Sequence, residues 1–198
     1  MKKITLALIT ISLTAAAACA GAQSHKPRAA GKFAPYSMDG NYFSCLIPAD
    51  WNLNRDRDSD EQYKIYEIQL IAPRSAKTPI SIKVSFYAKD NQDFNDYKDF
   101  INSNSRNALD ETRNAREKYA PVRKIKFNGR EGFMLGSERL VYLHPETKSD
   151  ESVLVKERIY VLPAREGFYV LRYSAPKADY NAFYRAFLKV TESFKGLP

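Results

Sequence analysis

The sequence predicts an α+β fold in which an antiparallel β-sheet is sandwiched between helices. Three observations carry that prediction. Segments with period-two apolar spacing dominate, tight-turn signals short enough to join antiparallel neighbours separate them, and two segments with helical apolar spacing follow strands. The order is strands, helix, strands, helix. From Asp39 to Pro198 the chain has roughly 160 residues, the size of one ordinary domain with enough chain to bury a core.

In chain order, "FSCLIPADW" (43–51) is an apolar strand ending at a proline and a tryptophan. "YKIYEIQLIA" (63–72) has apolar residues on both faces, which predicts a strand inside a sheet covered on both sides. "ISIKVSFYA" (80–88) places Ile80, Ile82, Val84 and Phe86 on one face and Ser81, Lys83 and Ser85 on the other, as a half-buried strand does. "DFNDYKDFINSNSRNAL" (93–109) spaces Phe94, Tyr97, Ile101 and Ala108 as a helix would, with Asp93 as its N-cap. "FNGREG" (127–132) is a tight turn into the long strand "EGFMLGSERLVYL" (131–143). "VLVKERIYVL" (153–162) is apolar on both faces, and "GFYVLRYSA" (167–175) is another strand. The closing helix "ADYNAFYRAFLKVTESF" (178–194) aligns Tyr180, Phe183, Tyr184, Phe187, Val190 and Phe194 as core aromatics and aliphatics.

Several of these segments resemble the PsbP-like superfamily. "FSCLIPADW" is similar to its opening strand, and "IKFNGREGF" (125–133) to its central turn, where Asn128-Gly129-Arg130 joins two long strands. "REGFYVLRYSAP" (165–176) resembles its later aromatic strand, and "FYRAFLKVTESFK" (183–195) its closing helix. The resemblance implies an antiparallel sheet between helices and an activity of binding rather than catalysis. Its members include an extrinsic photosystem II subunit, bacterial envelope lipoproteins and a fold relative that binds a nuclear GTPase. The N-terminal region here is unlike that of the photosystem subunit, so no photosynthetic role carries over.

The chain starts "MKKITLALITISLTAAAACAGAQ". Lys2 and Lys3 precede an uncharged apolar run, Ile4 to Ala18, that is too short to span a bilayer and is followed by small residues. That is the build of a secretory signal peptide, expected over residues 1–18. "AAAC", ending at Cys19, resembles the lipobox of bacterial lipoproteins, with Ala16 standing where that pattern prefers a larger aliphatic residue. The resemblance implies acylation of Cys19 and an outer-membrane lipoprotein on the periplasmic side of the cell envelope. Ordinary cleavage after Ala20 or Ala22 is the alternative, since both sites offer small residues at the right spacing. Either way the mature chain keeps Cys45 alone, so no internal disulfide is available, and its apolar setting predicts a buried, inert thiol. Residues 19–38, rich in Ala, Gly, Pro and Ser, read as a flexible tether behind the anchor cysteine.

Net charge is +8, but five of the 31 basic residues and none of the acids lie in residues 1–38. The domain therefore carries 26 bases against 23 acids, too even a balance for a nucleic-acid binder, which concentrates positive charge on its folded surface.

Candidate sites are sparse. "DRDSDEQYKIYE" (56–67) places Asp56, Asp58 and Asp60 two apart with Glu67 twelfth, as in a calcium-binding loop. Residue six is Glu61 rather than the glycine that such a loop's sharp turn requires, and Arg57 adds positive charge. The stretch is expected to be a solvated loop, with Asp56, Asp58, Asp60 and Glu61 as a candidate site for a divalent cation. His144 stands in the polar loop "HPETKSDES" with no second histidine or spare cysteine to join it in a zinc site, and no serine has a nucleophile context. Catalysis and a cofactor are not expected. "RNAREKYAPVRKIK" (113–126) carries Arg113, Arg116, Lys118, Arg123, Lys124 and Lys126, a candidate contact for anionic lipid or an acidic partner. The function that follows is an exported, lipid-anchored binding or assembly module whose partners are the membrane and an envelope protein; a periplasmic carrier of a small ligand or metal is the alternative.

Overall fold

The structure, a computed structural model, describes residues 31–73 and 77–197. The expected signal segment, residues 1–18, and Cys19 lie outside the described residues. The body is an eight-stranded antiparallel sheet. Its path runs β3 (Asn52–Asn54), β4 (Ile65–Ile71), β5 (Ser81–Ala88), β10 (Gly167–Pro176), β9 (Ser152–Ala164), β8 (Arg130–Tyr142) and β6 (Glu117–Tyr119), with β7 (Arg123–Phe127) also paired to β8. A second, three-stranded sheet joins β1 (Phe33–Ser37), β2 (Phe43–Pro48) and β11 (Lys195–Gly196). Three helices complete the chain: α1 (Arg57–Tyr63), α2 (Tyr97–Asn104) and α3 (Tyr180–Ser193). None of the described helices is long and apolar enough to cross a membrane.

The α+β fold with its antiparallel sheet between helices is as the patterning predicts, with local differences. Residues 33–38, expected to belong to a flexible tether over 19–38, are structured. Phe33 to Ser37 pair with Ser44 to Pro48, and Met38 is buried. Ala and Pro made this stretch look unstructured, but Phe33, Tyr36 and Met38 anchor it, and Pro35 is tolerated because β1 is an edge strand. The first long helix starts later than expected. Asp96, not Asp93, is its N-cap, accepting from the Lys98 and Asp99 amides at 2.8 and 2.9 Å. Asn91 instead organises the preceding turn, its side-chain oxygen accepting from the Asp93 and Phe94 amides. The helix ends at Asn104, so Ala108 lies outside it.

The main sheet separates two cores. On one face, α3 and the small sheet cover Ile68, Leu70, Ile82, Val84, Phe86, Tyr169, Leu171 and Tyr173. Helix α3 contributes Tyr180, Phe183, Phe187 and Val190 at i, i+3, i+7 and i+10, each buried side chain contributing roughly 2 kcal/mol of apolar transfer free energy. On the other face, α2 lays Phe100 onto Leu135, Ile159, Val161, Phe168 and Val170, with Tyr87 stacked on Phe168 at 4.7 Å. Cys45 is buried in the first core, and burial pushes its thiol up to about 12.

Two turns set the register of the long strands. Asn128 and Gly129, both at positive φ, form the two-residue turn between β7 and β8, and the Asn128 amide donates to the Thr191 and Phe194 carbonyls at the end of α3. Gly167 opens β10 at φ +143, where a Cβ would stand 1.9 Å from the Tyr87 carbonyl oxygen, so only glycine fits.

Burial raises several acidic protons at once: Cys45 from 9.0 to about 12, and the Tyr87 and Tyr180 phenols from 10.0 to about 12. The unfolded chain releases these protons first as pH rises, so it binds fewer protons than the folded one in that window. Stability from this source is fully present below pH 9 and is lost as pH climbs from about 9 to about 12. Urea midpoints followed by tyrosine fluorescence are expected to fall steadily across that range, with Cys45 unreactive to a thiol reagent at pH 8 until the chain unfolds.

Candidate functional site

A surface cleft of about 620 Å³ lies where α1 meets the α2 side of the sheet. Its construction starts at α1. The aspartate-rich stretch is a helix rather than the expected solvated loop: Asp56 is the N-cap, accepting from the Ser59 amide at 3.1 Å, and Lys64 ends the helix in the left-handed conformation. Helical spacing turns Asp58 away from Asp56 and Asp60, into solvent. Asp60 is buried, 3% exposed, and fully engaged: Arg55 Nε donates to Oδ2 at 2.8 Å and the Glu67 amide to Oδ1 at 3.0 Å. Arg55 also reaches Asp39 at 2.6 Å, and Glu61 is an exposed partner of Lys64 at 3.4 Å. The four candidate cation ligands are therefore not gathered, and no group of metal-holding side chains exists among the described residues.

The cleft floor comes from the period-two pattern of β4. Tyr66, Ile68 and Leu70 face the α3 core, which turns Glu67 and Gln69 to the other side. That side of β4 is not covered, against the expectation from its apolar flanks; Ile65 and Ile71 are only half-buried. Glu67 accepts from Lys83 Nζ and Ser85 Oγ, both at 2.7 Å. Lys83 pairs across the ladder with Arg172, whose guanidinium donates to Asn104 Oδ1 at 2.9 Å and so links the polar strip to α2. Sequence reasoning missed Glu67, Lys83, Ser85 and Arg172 as a group. Their signal was alternation on three strands, legible only once the strands are set side by side.

The basic segment divides. Arg123 lies opposite Met134 and Lys118 opposite Glu138, on the α3 side of the sheet; Lys124 lies opposite Phe133 and Lys126 opposite Glu131, on the α2 side. Pleating sends alternate residues to opposite faces, so these cations do not share one surface. Arg116 sits over the Tyr142 ring at 5.4 Å, and Arg113 bridges to Lys118. His144 is an exposed loop residue with Nε2 3.6 Å from Glu151. Lys77 lies 2.8 Å from the same carboxyl and, as its main partner, holds it below the usual carboxylate range.

Replacing the three aspartates one at a time separates a helix from a cation loop. Asp60→Ala strands the Arg55 charge and the Glu67 amide, and is expected to cost about 3 kcal/mol in urea denaturation. Asp56→Ala should cost about 1 kcal/mol as a lost cap, and Asp58→Ala within about 0.5 kcal/mol of nothing. Equal, calcium-dependent losses for all three would contradict the arrangement described.

Among solved structures, the chain is similar to cyanobacterial PsbP (CyanoP) from Synechocystis, with a TM-score of 0.52 and 12% identity over 83% of this chain and 92% of that one. It is also similar to the Ran-binding protein Mog1p of Saccharomyces cerevisiae, at TM-score 0.48 and 11% identity over 84% and 96%. A third is LpqN of Mycobacterium tuberculosis, described as involved in cell envelope biogenesis, at TM-score 0.45 and 13% identity over 84% and 91%. No protein-family model and no curated protein matches the sequence.

Proposed function

We propose that this chain, whose fold is PsbP-like, is an exported, lipid-anchored and non-catalytic binding or assembly module of the bacterial cell envelope, held on the periplasmic side through Cys19. The observation that carries the non-catalytic reading is the state of the cleft. Its inward carboxylates already serve the fold: Asp60 ties Arg55 and the edge of β4, and Glu67 ties Lys83 and Ser85. General acid–base work needs a carboxyl with a proton to exchange and a place for substrate beside it. Here those positions are filled by neighbours that the strands need. Export and anchoring are supported by the N-terminal lysines, the short apolar run and the lipobox-like "AAAC".

One observation favours a second reading, a carrier. The cleft volume lies within the range of small-ligand pockets, and its mixed polar lining suits a hydrophilic molecule.

Crosslinking the tagged full-length chain in its own envelope, followed by mass spectrometry, tests the first reading. A single abundant protein, lost on Cys19→Ala, is the expected result. No capture above background in either form, together with a small molecule retained in native mass spectra of the purified chain, would replace the module with the carrier.

A further inference from the structure

We propose that the α3 side of the sheet carries a second contact surface, a cationic face on β6, β8 and β9 beyond the helix, and that this face docks onto an anionic lipid bilayer. The inference goes beyond the module reading by naming a partner through its chemistry, and it makes no use of the acyl group.

Register assembles the face. Lys118, Glu138 and Lys156 stand abreast on three neighbouring strands, so the two lysine backbones lie about 10 Å apart. Arg158 is two residues along β9 on the same side, and Arg123 enters from β7 opposite Met134. Lys177, just past β10, reaches Glu138 at 2.8 Å. Five cations thus meet two acids, Glu138 and Asp179 at the start of α3. Lys177 holds the Glu138 carboxyl below its usual range, with Lys156 and Lys118 pulling the same way. Lys177 alone is within ion-pair distance of that carboxylate, and neither Lys118 nor Lys156 has a carboxylate partner among the described residues. The positive region ends at the β8–β9 tip, where Glu146, Asp150 and Glu151 reverse the sign.

Two further features distinguish this face from an ordinary solvated one. The Tyr180 hydroxyl and Arg158 Nε are buried polar atoms without a hydrogen-bond partner among the described residues, and Lys156 Nζ sits 4.6 Å over the Tyr180 ring. Beside the lysines, Leu154 is 37% exposed on the same side of β9, and Tyr142 shares that side of β8 under Arg116. Lysines spread over an open sheet face, interleaved with an aliphatic and an aromatic side chain, match the layered chemistry of a headgroup region: charge outermost, apolar tips just below it. A partner recognised through one phosphate would instead require donors converging on a point.

Vesicle co-sedimentation of the full-length chain carrying Cys19→Ala, so that no acyl group contributes, tests the proposal. The quantity read is the extra binding to vesicles containing phosphatidylglycerol over vesicles of phosphatidylcholine alone. Each lysine near such a surface is worth about 1 kcal/mol, so the triple variant Lys118→Gln, Lys156→Gln, Lys177→Gln is expected to lower that increment about 100-fold. Lys124→Gln with Lys126→Gln, on the opposite face, should leave it unchanged. Equal losses from both variants, or no loss from either, would overturn the proposal, as would full inhibition by millimolar inorganic phosphate, which would signal a focal anion site. Circular dichroism checks the variants' fold; should the triple variant unfold, the salt dependence of the unmodified lysines decides, a salt-insensitive increment overturning the idea. Because no protein partner is present in this assay, its failure leaves the crosslinking result standing, and the reverse also holds.

Discussion

Strand β10 is buried on both faces, and the two tyrosines that it sends into the larger core must satisfy their hydroxyls there. Tyr169 donates to the Tyr42 carbonyl at 2.8 Å and accepts from the Leu197 amide at 2.7 Å; Tyr173 donates to the Tyr180 carbonyl at 2.7 Å. A buried hydroxyl without a partner is costly, so these three bonds dictate where other elements lie. The first brings the small sheet against the large one, the second returns the C-terminal strand to β2, and the third places the first turn of α3. The Ser193 hydroxyl, accepting from the Leu46 amide at 2.8 Å, secures the other end of that helix.

The surfaces follow from unequal lengths. Strands β8 and β9 have 13 residues each, about 43 Å of extended chain, whereas the 14 residues of α3 span about 21 Å. Helix α2, with eight residues, covers less still. A sheet that outruns its covers must solvate the excess, and alternation then sorts that excess into polar strips. One strip is the Glu67–Lys83–Ser85 cleft, internally neutralised; the other is the lysine-rich face around Glu138, where positive charge exceeds negative.

Much of this fold was legible along the chain, because period-two and period-3.6 apolar spacing are local properties. Ile82, Val84 and Phe86 read as buried from their own segment, and so did Phe183, Phe187 and Val190. Short helices were not legible. Seven residues give too few turns for an apolar stripe, and α1 is held by its Asp56 cap, the left-handed Lys64 and the buried Asp60–Arg55 pair rather than by an apolar face. Nor was β11, whose two residues gain strand geometry only from β2.

The sequence by itself determined which residues alternate, where the tight turn at Asn128-Gly129 falls and that the second face of β5 is polar. Tertiary structure decided which alternating faces are covered and which distant charges become neighbours. Lys118, Glu138, Lys156 and Lys177 are spread over 60 residues of chain, and no local pattern relates them. Lys118, Glu138 and Lys156 meet because antiparallel register sets them in one row, and Lys177 reaches that row from the end of β10, while the same pleat parts Lys124 from Arg123, its immediate neighbour in sequence.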